Sequence, residues 1–205
     1  IHKYSLNKVD ENLSVSEFSE SVGIDSSFFT EVLNIFASTD YFPIEQLKQF
    51  PVTVILDYLK KTHAHYLTKR LPEIELTIKQ LENEIEDVQF NLLSSFFGKF
   101  KAHLIEHIQY EEYMLFPYIE CVFSGKELPT RLQGFTLDSF VELHNDEIED
   151  SLLETCQTLI KKNQKTDDLL RLKVLIHYMD LFEKDLRIHG RIEDEILIDV
   201  VKEKI

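Results

Sequence analysis

From Pro51 onward, apolar side chains recur every three to four positions in four long segments, at about 52–87, 89–125, 136–163 and 167–203, the periodicity of a helix with one buried face. The first carries Ile55, Tyr58, Leu59, Tyr66 and Leu67, then Ile74, Ile78 and Leu81 beyond Pro72; the proline is expected to bend this helix or begin a new turn. The second runs through Leu92, Phe96, Phe97, Phe100, Leu104, Ile108 and Leu115, with Pro117 near its end. Phe140, Leu143, Ile148, Leu152 and Leu159 mark the third, and Leu170, Val174, Leu181, Leu186, Ile192, Ile196 and Val200 the fourth. Four amphipathic helices of similar length joined by short connections bury their stripes most simply as an up-down-up-down four-helix bundle.

The first 48 residues have another texture, with short amphipathic pieces broken by Asp and Ser. Two or three short helices are expected there, with Ser14 and Asp25 as N-caps. The expected organisation is therefore all-α: a small helical N-terminal unit over 1–48 that packs on a bundle over 49–205. The short-helix alternation also resembles a helix-turn-helix, but the segment holds many acids and few lysines, which argues for a structural or partner-docking role rather than DNA reading.

Composition narrows the class. In 205 residues with 43% hydrophobic content, only 5 glycines and 5 prolines interrupt the pattern, which favours long helices and one sizeable core. Acidic residues number 37 against 22 basic ones, for a formal charge of -15, so nucleic acid is repelled by most of the surface. No apolar run reaches the roughly 20 residues that span a bilayer. Cys121 and Cys156 sit apart within helical patterns, as reduced core thiols would, and a cytoplasmic setting is expected. No signal peptide is visible at the start, and the sequence begins at Ile1 rather than at methionine.

The chemistry lies in two repeats of one spacing. Segment two contains HIQYE, with His107 and Glu111, and segment four HGRIE, with His189 and Glu193. Four residues of separation put an imidazole and a carboxylate on one helix face, their Cβ atoms roughly 5–6 Å apart. The other two segments each offer a helical histidine, His63 in KTHAHY and His144 in ELHND. One such pair in an acidic helical protein is commonplace as a surface salt link; two on alternate segments point to a shared metal site. Imidazoles with carboxylates that bridge and offset two hard cations suit a di-iron pair, with manganese or zinc as alternatives. The expected metal ligands are His63, His107, Glu111, His144, His189 and Glu193, a set that leaves coordination positions open for dioxygen, peroxide or nitric oxide.

His63 is in phase with Leu56, Leu59 and Leu67, so it rather than His65 is expected to face inward. His103, one turn before His107, is expected beside the site or at the surface. His177 is expected to pack or hydrogen-bond elsewhere, and Tyr66, Tyr110 and Tyr178 mainly to fill the core.

In order, KTHAHYLTKRLPEIE, HIQYEEYMLFPYI, ELHNDEIED and HGRIEDEIL resemble the four helices of the hemerythrin-like proteins, and in particular the bacterial repair-of-iron-centres branch. The resemblance covers about residues 50–205. It implies terminal histidine ligands at His63, His107, His144 and His189 and bridging carboxylates at Glu111 and Glu193. It also implies a non-haem di-iron protein of the nitrosative and oxidative stress response that supports repair of iron-sulfur clusters, with nitric oxide or dioxygen and iron-sulfur proteins as partners. Two features depart from the pattern: residues 1–48 contain no cysteine, and Asn145 intervenes in HNDE. A sensor or carrier of dioxygen or nitric oxide that signals through a partner, a plain iron or oxygen reservoir, and a metal-free bundle are the competing readings.

Overall fold

The structure, a computed structural model, describes residues 13–21, 23–38, 40–84, 88–143, 158 and 169–205. Helix is the only repeating secondary structure among them, as the pattern predicts. None of these helices is long and apolar enough to cross a membrane. The chain opens with α1 (Val15–Ser21), α2 (Ser26–Ala37) and α3 (Ile44–Leu47). Next come α4 (Val52–His65), α5 (Leu71–Glu84), α6 (Val88–Tyr110) and α7 (Phe116–Ser124). They are followed by α8 (Leu137–Leu143), α9 (Leu169–Ile192) and α10 (Asp199–Lys202). Ile148, Leu152, Cys156 and Leu159, expected in the third helix, lie outside the described residues.

Both predicted caps form. The Asp25 carboxylate accepts from the Phe28 amide at 2.8 Å, and Ser14 pairs reciprocally with Glu17: the Glu17 amide donates to Ser14 Oγ at 3.3 Å while the Ser14 amide donates to the Glu17 carboxylate at 2.8 Å. This is a capping box, which satisfies helix-start donors that would otherwise lack partners.

Among the described residues, three stretches widen into π-helical turns: Tyr66–Arg70 between α4 and α5, Glu111–Leu115 between α6 and α7, and Glu193–Ile198 between α9 and α10. The first two end two residues before Pro72 and Pro117. Proline has no N–H and its ring crowds the preceding turn; a five-residue turn takes up the mismatch and lets the helix run on. The bend expected at Pro72 is thus a change of helical pitch upstream of it. The third π turn has no proline after it.

The described residues form two compact units. The first comprises those of Ile1–His65, Met114–Leu137 and Arg187–Ile205. Its N-terminal helices are joined by aromatic contacts: Phe18 stacks on Phe29 at 5.5 Å, and Phe28 meets Phe50 and Tyr58 edge-on at 5.2 and 5.6 Å. Helix α4 packs against α7 and against the π turn Glu193–Ile198, which also meets α3 and α10. Gly125 ends α7 with φ +67°, a left-handed conformation in which a side chain is strained. Cys121 is a half-buried free thiol.

The second unit comprises the described residues of Tyr66–Tyr113 and Asp138–Leu186. Its core gathers Ile74, Phe97, Phe100, Met179 and Phe182 among others, with Phe182 edge-on to both Tyr66 and Phe100. Here the predicted stripes need correcting. Leu92, Val174 and Leu181 are exposed, while Leu93, Leu172, Leu175, Met179 and Phe182 are buried. The spacing 172, 175, 179, 182 defines the inward face; Val174 and Leu181 each fall one position before it, about 100° round the helix, whereas Leu186, Ile192 and Ile196 of the same expected stripe are packed inward.

Candidate metal centre

Within the first unit, His63 from α4 and His189 from α9 bring their Nε2 atoms to 3.0 Å, with ring centroids 4.7 Å apart at 48°. Phe116 lies nearly parallel to the His63 ring, 5.4 Å between centroids and 14° between planes, and so fixes the plane in which the imidazole sits. The Glu193 carboxylate stands 3.6 Å from His189 Nε2. His63, His189 and Glu193 are 0%, 6% and 1% exposed. In the second unit, His107 Nε2 directly contacts the carboxylate of Glu111; Glu111 is fully buried, whereas His107 keeps 18% of its side chain exposed. Both His-x-x-x-Glu spacings therefore do what helical geometry predicts.

His63 and His189 thus converge as two buried imidazoles, with the buried carboxylate of Glu193 beside the second. This is a group that can hold a metal ion. Its chemistry fits one: imidazole nitrogen and carboxylate oxygen together suit iron, manganese or zinc. Two nitrogens bound at right angles to one metal, each at about 2.1 Å, stand about 3.0 Å apart, which is the separation of the two Nε2 atoms. Buried carboxylates carry a large desolvation cost that a bound dication offsets.

In each His-x-x-x-Glu pair the histidine sits in the last α-helical turn and the glutamate is the first residue of the π turn that follows, at Glu111 and Glu193. The remaining π turn begins three residues after His63. Such turns concentrate at functional sites because they re-aim side chains without ending the helix.

His144 and Asn145 lie outside the described residues. The expectation that only one of His63 and His65 turns inward does not hold, since His65 is also buried, at 5%. Helix α4 is covered on several sides, by α7, by the π turn Glu193–Ile198 and by Phe28 on Tyr58, so more than one of its faces is interior. His103 and His177 are exposed. Tyr66 is fully buried and Tyr178 packs against the core, but Tyr110 is 39% exposed, stacked on Phe140.

Sequence reasoning missed Phe116, the wall behind His63; the LFP block around it was legible only as a motif. It also missed Asp185, a carboxylate 5% exposed and one turn before His189, although its four-residue spacing to that histidine was available as a signal. No family model matches this chain, and no curated protein matches it either.

Proposed function

We propose that the chain is a non-haem di-iron protein built as a four-helix bundle, serving the nitrosative and oxidative stress response by supporting repair of iron-sulfur clusters. The observation that carries the metal reading is the convergence of the buried His63 and His189 nitrogens at 3.0 Å with the buried Glu193 carboxylate 3.6 Å from the second. The repair role rests on the resemblance of the four ligand blocks to the repair-of-iron-centres proteins.

His63, His107, His144 and His189 would hold the metals terminally, and Glu111 and Glu193 would bridge them and offset their charge. Iron so bound supplies redox cycling and open positions for a diatomic ligand. The protein's own contribution is orientation and dryness. Phe116 fixes the His63 ring, the buried positions of Glu111 and Glu193 exclude water, and low dielectric strengthens the attraction between carboxylates and cations.

The test is anaerobic loading with ferrous iron followed by metal analysis. Wild-type protein is expected to retain two irons per chain, and the double variant Glu111→Ala, Glu193→Ala none, because neutral imidazoles alone neither bridge nor offset two dications. Acidification should release the metal from about pH 6 downward, where protons compete for histidine nitrogen. Two irons retained by the double variant would refute the ligand assignment. For the repair role, iron-loaded protein is incubated with an oxidatively damaged iron-sulfur protein and the cluster absorbance followed; recovery no better than with ferrous iron alone would refute it.

A further inference from the structure

The π turn Glu193–Ile198 lacks the explanation that serves the other two, since no proline follows it. It needs another cause, because π-helical geometry is rare and an uninterrupted α-helix is the default. The residues around it supply one. Two residues before the turn, the Arg191 guanidinium lies over the Phe42 ring, its central carbon 3.6 Å from the ring centroid. Nε and an Nη of the same group donate to the Glu195 carboxylate at 2.6 and 3.1 Å. One residue after the turn, the Asp199 carboxylate accepts from Lys48 Nζ at 3.1 Å. Phe42 and Lys48 belong to one short segment, and α3 between them lies against the turn itself.

We infer that residues 41–48 are a positioning strap for the metal-site carboxylate Glu193, gripping the chain on either side of the π turn through Phe42 on Arg191 and Lys48 on Asp199. The inference rests on the metal reading proposed above. One residue of an α-helix corresponds to about 100° of rotation. If the turn relaxed to α-helix while α9 stayed in place, Asp199 would swing by about that angle relative to Arg191. Both grips hold together only in the π register. That register is also what buries Glu193 alongside Ile196, Leu197 and Ile198, three consecutive residues that an ordinary α-helix would spread over its circumference.

The strap is itself anchored. Tyr41 Oη donates to Glu31 at 2.6 Å, Gln46 donates to the same carboxylate at 2.7 Å, and Leu47 is fully buried. The chemistry of the Arg191 grip is specific to its partners: a planar guanidinium stacks on an aromatic face and forks onto a carboxylate at once, which an ammonium cannot do. At the other end, the Asp199 hydrogen bond, and then its charge with those of Glu203 and Glu45, holds the Lys48 ammonium above its ordinary pKa.

The test uses the full chain and cobalt(II), whose visible absorption reports the geometry of its ligands. Affinity, stoichiometry and band shape are measured for wild type, Phe42→Leu, Phe42→Trp, Arg191→Lys, Lys48→Ala and, as a control away from the strap, Lys79→Ala, which breaks the exposed Lys79–Glu75 pair. Arg191→Lys keeps charge and helix propensity, so it isolates the stack from folding. Phe42→Leu, Arg191→Lys and Lys48→Ala are expected to bind cobalt about tenfold more weakly, the scale of losing an orienting partner of a ligand, with an altered visible band. Phe42→Trp, which keeps an aromatic face, should restore both, and Lys79→Ala should match wild type. Wild-type affinity and band shape in Arg191→Lys and Phe42→Leu would overturn the strap while leaving the metal reading intact. Failure of the wild-type chain to bind cobalt or iron would overturn the metal reading and the strap with it.

Discussion

Replacing Phe116 separates packing from positioning at the metal centre. The ring is fully buried and nearly parallel to His63, so Phe116→Ala removes core volume and the wall behind a ligand in one step. Truncating a buried phenylalanine costs about 3–5 kcal/mol, and at about 2–4 °C per kcal/mol for a chain of this size the metal-free protein should melt roughly 10 °C lower. Phe116→Leu keeps most of the apolar volume and should lose much less. The metal-dependent increment behaves differently. With free metal at 100 times its dissociation constant, binding adds about 2.7 kcal/mol to wild type; if a loosened His63 weakens binding tenfold, the same free metal adds only about 1.4 kcal/mol. Thermal melts of both variants with and without metal read the two effects apart. A metal increment in Phe116→Leu equal to that of wild type would show that the stack is packing alone, and a fall of less than about 3 °C in metal-free Phe116→Ala would refute the core assignment itself.

Asp25→Ala should cost about 1 kcal/mol by removing the cap on the Phe28 amide, whereas Asp25→Asn should be close to neutral; equal losses in chemical denaturation would refute the cap. Hydrogen bonds from Lys101 and then Lys79 hold the Glu75 carboxyl below its ordinary 4.5. A folded pKa below the unfolded one means that the contribution is present above 4.5 and is lost as pH falls through the folded value. Glu75→Gln should therefore lower stability slightly at neutral pH and not at all once both states are protonated, and a deficit that persists at low pH would mean that lost packing is its cause.

Helices were the legible part of the sequence because their period is written in many residues at once. Pairings at four-residue spacing were legible for the same reason, and His107 with Glu111 and His189 with Glu193 meet as that spacing requires. A pattern of constant period has no means of expressing a turn with one residue too many. The π turns therefore went unread, although Pro72 and Pro117 marked two of them and only a contact between residues 42 and 191 marks the third. Burial on more than one face is equally hidden: its angle from His63 turns His65 outward in the sequence pattern, yet a helix surrounded on several sides has more than one interior face, and His65 is buried. In α9, Val174 and Leu181 continue the helical period on one side of the buried stripe, and which face is buried is fixed by the packing of Phe182 and Met179 rather than by anything local.

The three π turns bear on how this chain can change its length over generations. A π turn accommodates one residue beyond the α-helical repeat without ending the helix, so a gain or loss of a single codon there can be absorbed locally, whereas elsewhere in a helix it rotates everything downstream. Two of the turns begin at the buried carboxylates Glu111 and Glu193 and the third begins three residues after His63. The places most tolerant of a one-residue indel are thus the places where an indel would most directly reset the reach of a candidate ligand. Diversification by insertion and deletion, normally left to loops, is open to this chain inside its helices and beside its chemistry.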